Sequence, residues 1–187
     1  MSRDIKNLQA ETKQFLRYLQ NHPELRTRIC APENRTLLYA GKLIRNAWQE
    51  LVAAKGRPEF AELCILPEVL SSVPAPNSGH DSLHTYVQAV CAKVPWEDDG
   101  FTLWRALSGI FASQAKGRVS FYIGDSISGD MENVENRRVF AVTELPVLDR
   151  NPNLDALTRD VLAYYMRCLK NKNQAMNFSF IGGIGQF

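Results

Sequence analysis

With 187 residues, 45% of them apolar and 22% charged, the chain can bury a core without disulfides or metals. Its 22 Lys and Arg stand against 20 acidic residues and are scattered, so no basic stripe points to nucleic acid. No apolar run reaches the roughly 20 residues that a membrane span requires.

The charged, amphipathic opening Met1–Ile5 is not expected to act as a signal peptide. Cys30, Cys64, Cys91 and Cys168 form no C-x-x-C or zinc pattern and are expected as buried thiols in a reducing compartment. Residues 4–20 place Ile5, Leu8, Phe15, Leu16 and Leu19 at helical spacing, with Lys6, Lys13 and Arg17 towards solvent, and His22-Pro23 ends the pattern. Leu37, Leu38, Leu43, Ile44, Trp48, Leu51 and Val52 predict a second helix over 36–54. A short helix is expected over 59–71 with Pro67 inside it, and Pro74–Gly79 reads as a loop. Asp81 or Ser82 then caps a helix to about residue 93, with Leu83, Tyr86, Val90 and Cys91 on one face.

The pattern changes after Pro95. A helix over 100–115 leads to a strand at Arg118–Gly124, where Val119, Phe121 and Ile123 alternate. Residues 125–136 read as a polar loop, and Arg138–Leu145 as a second strand ended by Pro146. Asn151-Pro152 opens a helix striped by Leu154, Leu157, Val161, Leu162, Tyr165 and Leu169. Met176, Phe178 and Phe180 alternate in a last strand. Strand, helix and strand over 138–181 suit a βαβ unit and a parallel sheet. The expected fold is α/β (α+β): a helical subdomain over 1–95, an α/β subdomain with a short parallel sheet over 96–187, and an active-site cleft between them.

Gly182-Gly183-Ile184-Gly185 lacks the following helix that a dinucleotide fingerprint needs. His80 and His84 lie four apart, but His80 falls in the expected loop and no third ligand is near. Cys91 and His84 share a helix face, where core packing is commoner than a nucleophile and its base.

Three further segments are Leu37–Gly41, Phe101–Ser108 with Phe111-Ala112 beyond it, and Phe140–Leu148. On composition alone they read as aromatic core with one exposed glutamate at a strand end. Taken in order, they resemble the ADP-ribosyl cyclase and NAD glycohydrolase family, over roughly residues 35–181. Phe140-Ala141-Val142-Thr143-Glu144-Leu145-Pro146-Val147-Leu148 is similar to the family's Phe-Gly-x-x-Glu-Leu-Pro-x-Leu. That match implies Glu144 as the catalytic carboxylate. Tyr39 stands where the family has its first active-site tryptophan, Trp104 on the second, and Ser108 on a serine that faces the substrate. Glu62 matches a family glutamate, with Leu63 in place of its acidic neighbour. Phe140, the preceding Val139 and Ser126 in the polar loop complete the substrate-binding set that the resemblance implies. The family's disulfide framework is absent, which implies a microbial branch acting in the cytoplasm, secreted or delivered into a target cell.

The implied reaction cleaves the nicotinamide–ribose bond of NAD or NADP as substrate, with no metal or other cofactor. A fixed carboxylate stabilises the oxocarbenium-like centre or traps the sugar, as in retaining glycosidases. Trp104 and Tyr39 offer aromatic faces to nicotinamide and adenine, Ser108 a hydrogen bond, and Glu62 a partner for the carboxamide. In the family an aromatic before the Phe140 position goes with cyclisation, so Val139 implies ADP-ribose as the main product. Such an enzyme would deplete NAD as a toxin or effector with a cognate immunity protein as partner. Two rival readings are a non-catalytic NAD or ADP-ribose binding module and a helical interaction or immunity protein.

Overall fold

The computed structural model describes residues 9–41, 56, 58–124, 139–170, 179–181 and 184–186. They form a mixed helix-and-strand protein with a short parallel strand pair. The chain folds as two compact units, Met1–Cys30 with Leu66–Gln114, and Ala31–Ile65 with Ala115–Phe187.

The first unit is mainly helical. Helix α1 (Ala10–Asn21) buries Thr12, Phe15 and Leu19, one face at helical spacing, and α2 (Pro23–Arg28) starts on a proline. The N–H of the residue that precedes α1 is met by a side chain: the Gln9 N–H donates to Asp99 Oδ2 at 2.8 Å. Helix α3 (Leu66–Ser72) carries Pro67 in its first turn, where no intrahelical donor is lost. The expected helix over 59–71 is thus shorter, and a 3₁₀ turn at Pro58–Phe60 precedes it. Pro74–Gly79 belongs to a small hairpin, β2 (Pro74–Ala75) with β3 (His80–Ser82), whose turn holds Asn77 at φ 60°. Ser82 caps α4 (Leu83–Cys91) in a reciprocal box with Thr85, as the sequence suggested. Phe15 and Tyr18 of α1 meet the Tyr86 ring of α4 edge-on at 4.9 and 5.3 Å. A five-residue π-turn (Trp96–Gly100) then leads into α5 (Phe101–Ser113).

The second unit holds the sheet. Strand β1 (Thr36–Gly41) pairs in parallel with β4 (Val119–Gly124), Thr36 opposite Val119 through Gly41 opposite Gly124. Strand β5 (Ser179–Ile181) pairs antiparallel with β4 through Phe121 and Phe180, and β6 (Ile184–Gln186) completes a hairpin with β5. On its other side β1 takes a parallel bridge from Cys64. Helices α6 (Leu145–Asp149) and α7 (Ala156–Lys170) pack on each other.

Two sequence readings are overturned here. Thr36–Gly41 is a strand, not the start of a helix. Thr36, Leu37 and Leu38 are all buried, and a strand covered on both faces reads as a continuous apolar run. Residues 42–55 lie outside the described residues. The strand expected over Arg138–Leu145 is not found among its described residues either: residues 139–149 are helical, so the βαβ unit over 138–181 does not form. The parallel pair is instead β1 with β4. Helix α7 also begins later than Asn151-Pro152 suggested, at Ala156. Asp155 supplies its cap, accepting from the Thr158 N–H at 2.7 Å.

Candidate functional site

The segment around Glu144 owes its shape to Pro146. A proline inside a helix cannot donate to the carbonyl four residues back, and its ring strikes that carbonyl. The chain responds by widening: Phe140–Glu144 is a π-turn in which the Leu145 N–H reaches back five residues to the Phe140 carbonyl. Pro146 then lies in the first turn of α6, where it is tolerated.

Glu144 ends this turn and is only 7% exposed, so it is not the exposed strand-end glutamate that composition suggested. A buried carboxylate is costly unless its surroundings supply hydrogen bonds or countercharge, so its burial marks it out chemically. Among the described residues the other buried carboxylate is Asp99, engaged by the Gln9 N–H.

Phe140 opens the turn and is buried between two rings. Phe121 of β4 lies 6.1 Å away and Tyr165 of α7 5.9 Å, and those two rings are 5.3 Å apart, all edge-to-face. Burial pushes the Tyr165 phenol far up, with Tyr164 and Cys168 adding to it, so it stays neutral. Val139, half-buried, precedes the turn in helical backbone.

Tyr39 is placed differently. Strand β1 adjoins the Phe140–Glu144 turn. Tyr39, however, is paired with Tyr122 and packs with it on the Leu37, Phe60, Leu63 and Ile65 cluster. Side chains alternate along a strand, so Tyr39 and Tyr122 occupy the sheet face opposite to Phe121 and its partners Phe140 and Tyr165. Glu62 is exposed: its side chain is 75% accessible and pairs with Arg35 at 3.3 Å.

Trp104 and Ser108 belong to the first unit, one turn apart on α5. Ser108 is buried and Trp104 half-buried. Burial pushes the Cys91 thiol up, against the pull of its hydrogen bond with Trp104, and that bond uses the indole N–H. Ser126 lies outside the described residues, as do Gly182 and Gly183. The second unit therefore brings together Val139, Phe140 and Glu144, while Tyr39 and Glu62 stand on other surfaces of the same unit.

The weaker candidates have structural roles. The His80 ring stacks on Tyr86 at 4.8 Å, and His84 Nδ1 lies 2.9 Å from Ser71 Oγ. Burial lowers the His84 pKa, which keeps the ring neutral near pH 7. Cys168 is buried, whereas Cys30, Cys64 and Cys91 are half-buried free thiols, less covered than expected. Among the described residues no group of three or more His, Cys, Asp or Glu is placed to hold a metal, and no helix is long and apolar enough to cross a membrane.

Sequence reasoning missed Phe121 and Tyr165 as neighbours of the site. Both were legible as core positions, but only the fold brings them onto Phe140. Pro146 carried a usable signal, because a proline two residues after the glutamate disfavours a strand running through 138–145 less than it demands a break nearby. No family model, characterised protein or solved structure matches the chain.

Proposed function

We propose that the chain is an NAD(P) glycohydrolase of the ADP-ribosyl cyclase type, with Glu144 as its catalytic carboxylate. The observation that carries this reading is the burial of Glu144 at the end of a π-turn, a helix distortion found frequently at functional sites. The match of Phe140–Leu148 to the family pattern gives that carboxylate its chemistry.

In this reading the C1′–N bond of the nicotinamide ribose breaks and its electron pair leaves with neutral nicotinamide. The Glu144 carboxylate stabilises the positive charge left on the ribose, and its low-dielectric surroundings strengthen the interaction. Water then adds to C1′ and loses a proton, giving ADP-ribose; attack by adenine instead gives the cyclic product. Trp104 and Ser108 are assigned to substrate by resemblance, and NAD depletion would make the protein a toxin restrained by an immunity partner.

A second reading, a module that binds NAD or ADP-ribose without turnover, is favoured by two observations. The Tyr39 ring packs on an apolar cluster, and Glu62 faces solvent in an ion pair with Arg35, so neither supports the stacking and carboxamide roles.

NAD loss with product identification, wild type against Glu144→Gln, tests both readings. The glycohydrolase reading expects rapid loss that falls on the order of 100-fold or more in the variant. Tight binding of NAD that stays intact for hours would replace it with the binding module.

A further inference from the structure

The turn that carries Glu144 is bounded by Pro146 on one side and by Phe140, packed on Tyr165 of α7, on the other. Between Phe140 and Glu144 the backbone makes a π-turn, closed by the Leu145 N–H on the Phe140 carbonyl. An α-helix advances 3.6 residues per turn, and the wider π-turn changes by tens of degrees the angle between its first and last side chains. The turn therefore aims Glu144 relative to Phe140.

Two features hold that register. Pro146 has no N–H for the Val142 carbonyl, and its ring would collide with it in a regular helix, so an unbroken α-register through Val142–Pro146 is disfavoured. At the other end Phe140 is locked in the triangle with Phe121 and Tyr165, all three side chains essentially inaccessible. Interiors packed in this way do not deform continuously, so an anchored ring fixes the backbone that bears it.

The geometry points to Pro146 and Tyr165 as positioning residues for Glu144, Pro146 by disfavouring the regular helical register and Tyr165 by anchoring the turn through Phe140. As a catalytic role this rests on the glycohydrolase reading; as an orientation of the Glu144 carboxyl it stands without it.

The test uses the full chain with Pro146→Ala, Tyr165→Leu and Tyr165→Phe. Two quantities are read: kcat and KM for NAD, and the carboxyl carbon resonance of Glu144, assigned by its loss in Glu144→Gln. In Pro146→Ala and Tyr165→Leu the resonance moves and kcat falls roughly tenfold or more, with KM within about threefold, because orientation and not binding is disturbed. Tyr165→Phe, which keeps the ring, retains the wild-type resonance and rate. Alanine is the better helix former, so Pro146→Ala is expected to fold and decides the matter if Tyr165→Leu does not. A folded Pro146→Ala protein with the wild-type resonance overturns the proposal, whatever its rate. A wild-type protein inert towards NAD removes the glycohydrolase reading, and the resonance still decides whether the turn aims Glu144.

Discussion

Asn34 and Gly117, at φ 63° and 65°, close against each other at the base of the parallel strand pair. The Asn34 N–H donates to the Lys116 carbonyl at 3.0 Å, and Asn34 Oδ1 accepts from the Arg118 N–H at 2.7 Å. A Cβ on Gly117 would collide with the Asn34 side chain, whose Cγ would stand 3.0 Å away, and would sit at a left-handed φ as well. Gly117→Ala is therefore expected to cost about 2–3 kcal/mol, from strain and the displaced asparagine together. Denaturant unfolding would show this as a lower midpoint at unchanged slope. A cost under about 0.5 kcal/mol would mean that the contact yields without loss.

Beside this corner, Asp155 joins β4 to α7. Its Oδ1 accepts from the Thr158 N–H, and its Oδ2 from Arg118 Nε at 3.0 Å. Partial burial pushes its carboxyl up, but the hydrogen bonds from Thr158 and Arg118 and the guanidinium charge outweigh that and hold it below the ordinary value. A depressed folded pKa means that the unfolded chain takes up the proton first as pH falls. The stabilisation is thus complete well above the unfolded value of about 3.9 and is lost as pH falls from there through the folded pKa. Asp155→Asn is expected to be less stable at pH 7 and to show a shallower loss of stability below about pH 4. Parallel stability curves for the two proteins through that range would contradict the assignment.

What the sequence disclosed follows from how local each signal is. The Ser82 cap, the alternation of β4 and the apolar stripe of α1 depend on residues a few positions apart, and all three are present. Strand β1 was hidden because Thr36, Leu37 and Leu38 are all buried, which erases the period of two. Its partner β4 stands far along the chain, and no local pattern announces such a pairing. The misreading of Phe140–Glu144 has a different cause: the apolar Val139–Val142 run suits a strand, and the helical turn it forms instead is packed on Phe121 and Tyr165, which lie elsewhere in the chain. The burial of Glu144 was not legible in its segment, since the strand β1 that adjoins its turn stands about a hundred residues away in the chain.

The Ser82–Thr85 box offers a test of the first unit by itself. Ser82 Oγ accepts from the Thr85 N–H at 3.2 Å, and the Ser82 N–H donates to Thr85 Oγ1 at 3.2 Å. Ser82 is also the last residue of β3, so one residue ends the hairpin and starts α4. Ser82→Ala is expected to cost about 1 kcal/mol, and Thr85→Ala less, because only the Ser82 hydroxyl satisfies a first-turn helical donor. Because both variants break one reciprocal pair, the double variant should cost less than the sum. Strict additivity in thermal or denaturant unfolding would show that the two bonds act separately.

The partition of products is the sharpest consequence of reading Glu144 as the reacting carboxylate. After nicotinamide leaves, water and the substrate's own adenine compete for the ribose C1′. Cyclisation needs the adenine held folded over the sugar, which an aromatic face beside the turn can do and an aliphatic side chain cannot. Val139, half-buried immediately before Phe140, presents no such face. The wild-type protein is therefore expected to release mainly ADP-ribose, and Val139→Phe to raise the cyclic share while total NAD turnover changes less. Chromatography of the products at early times, before any cyclic product is itself hydrolysed, measures the ratio directly. Mainly cyclic ADP-ribose from the wild type would show that another group holds the adenine, and would remove Val139 from the specificity of the site.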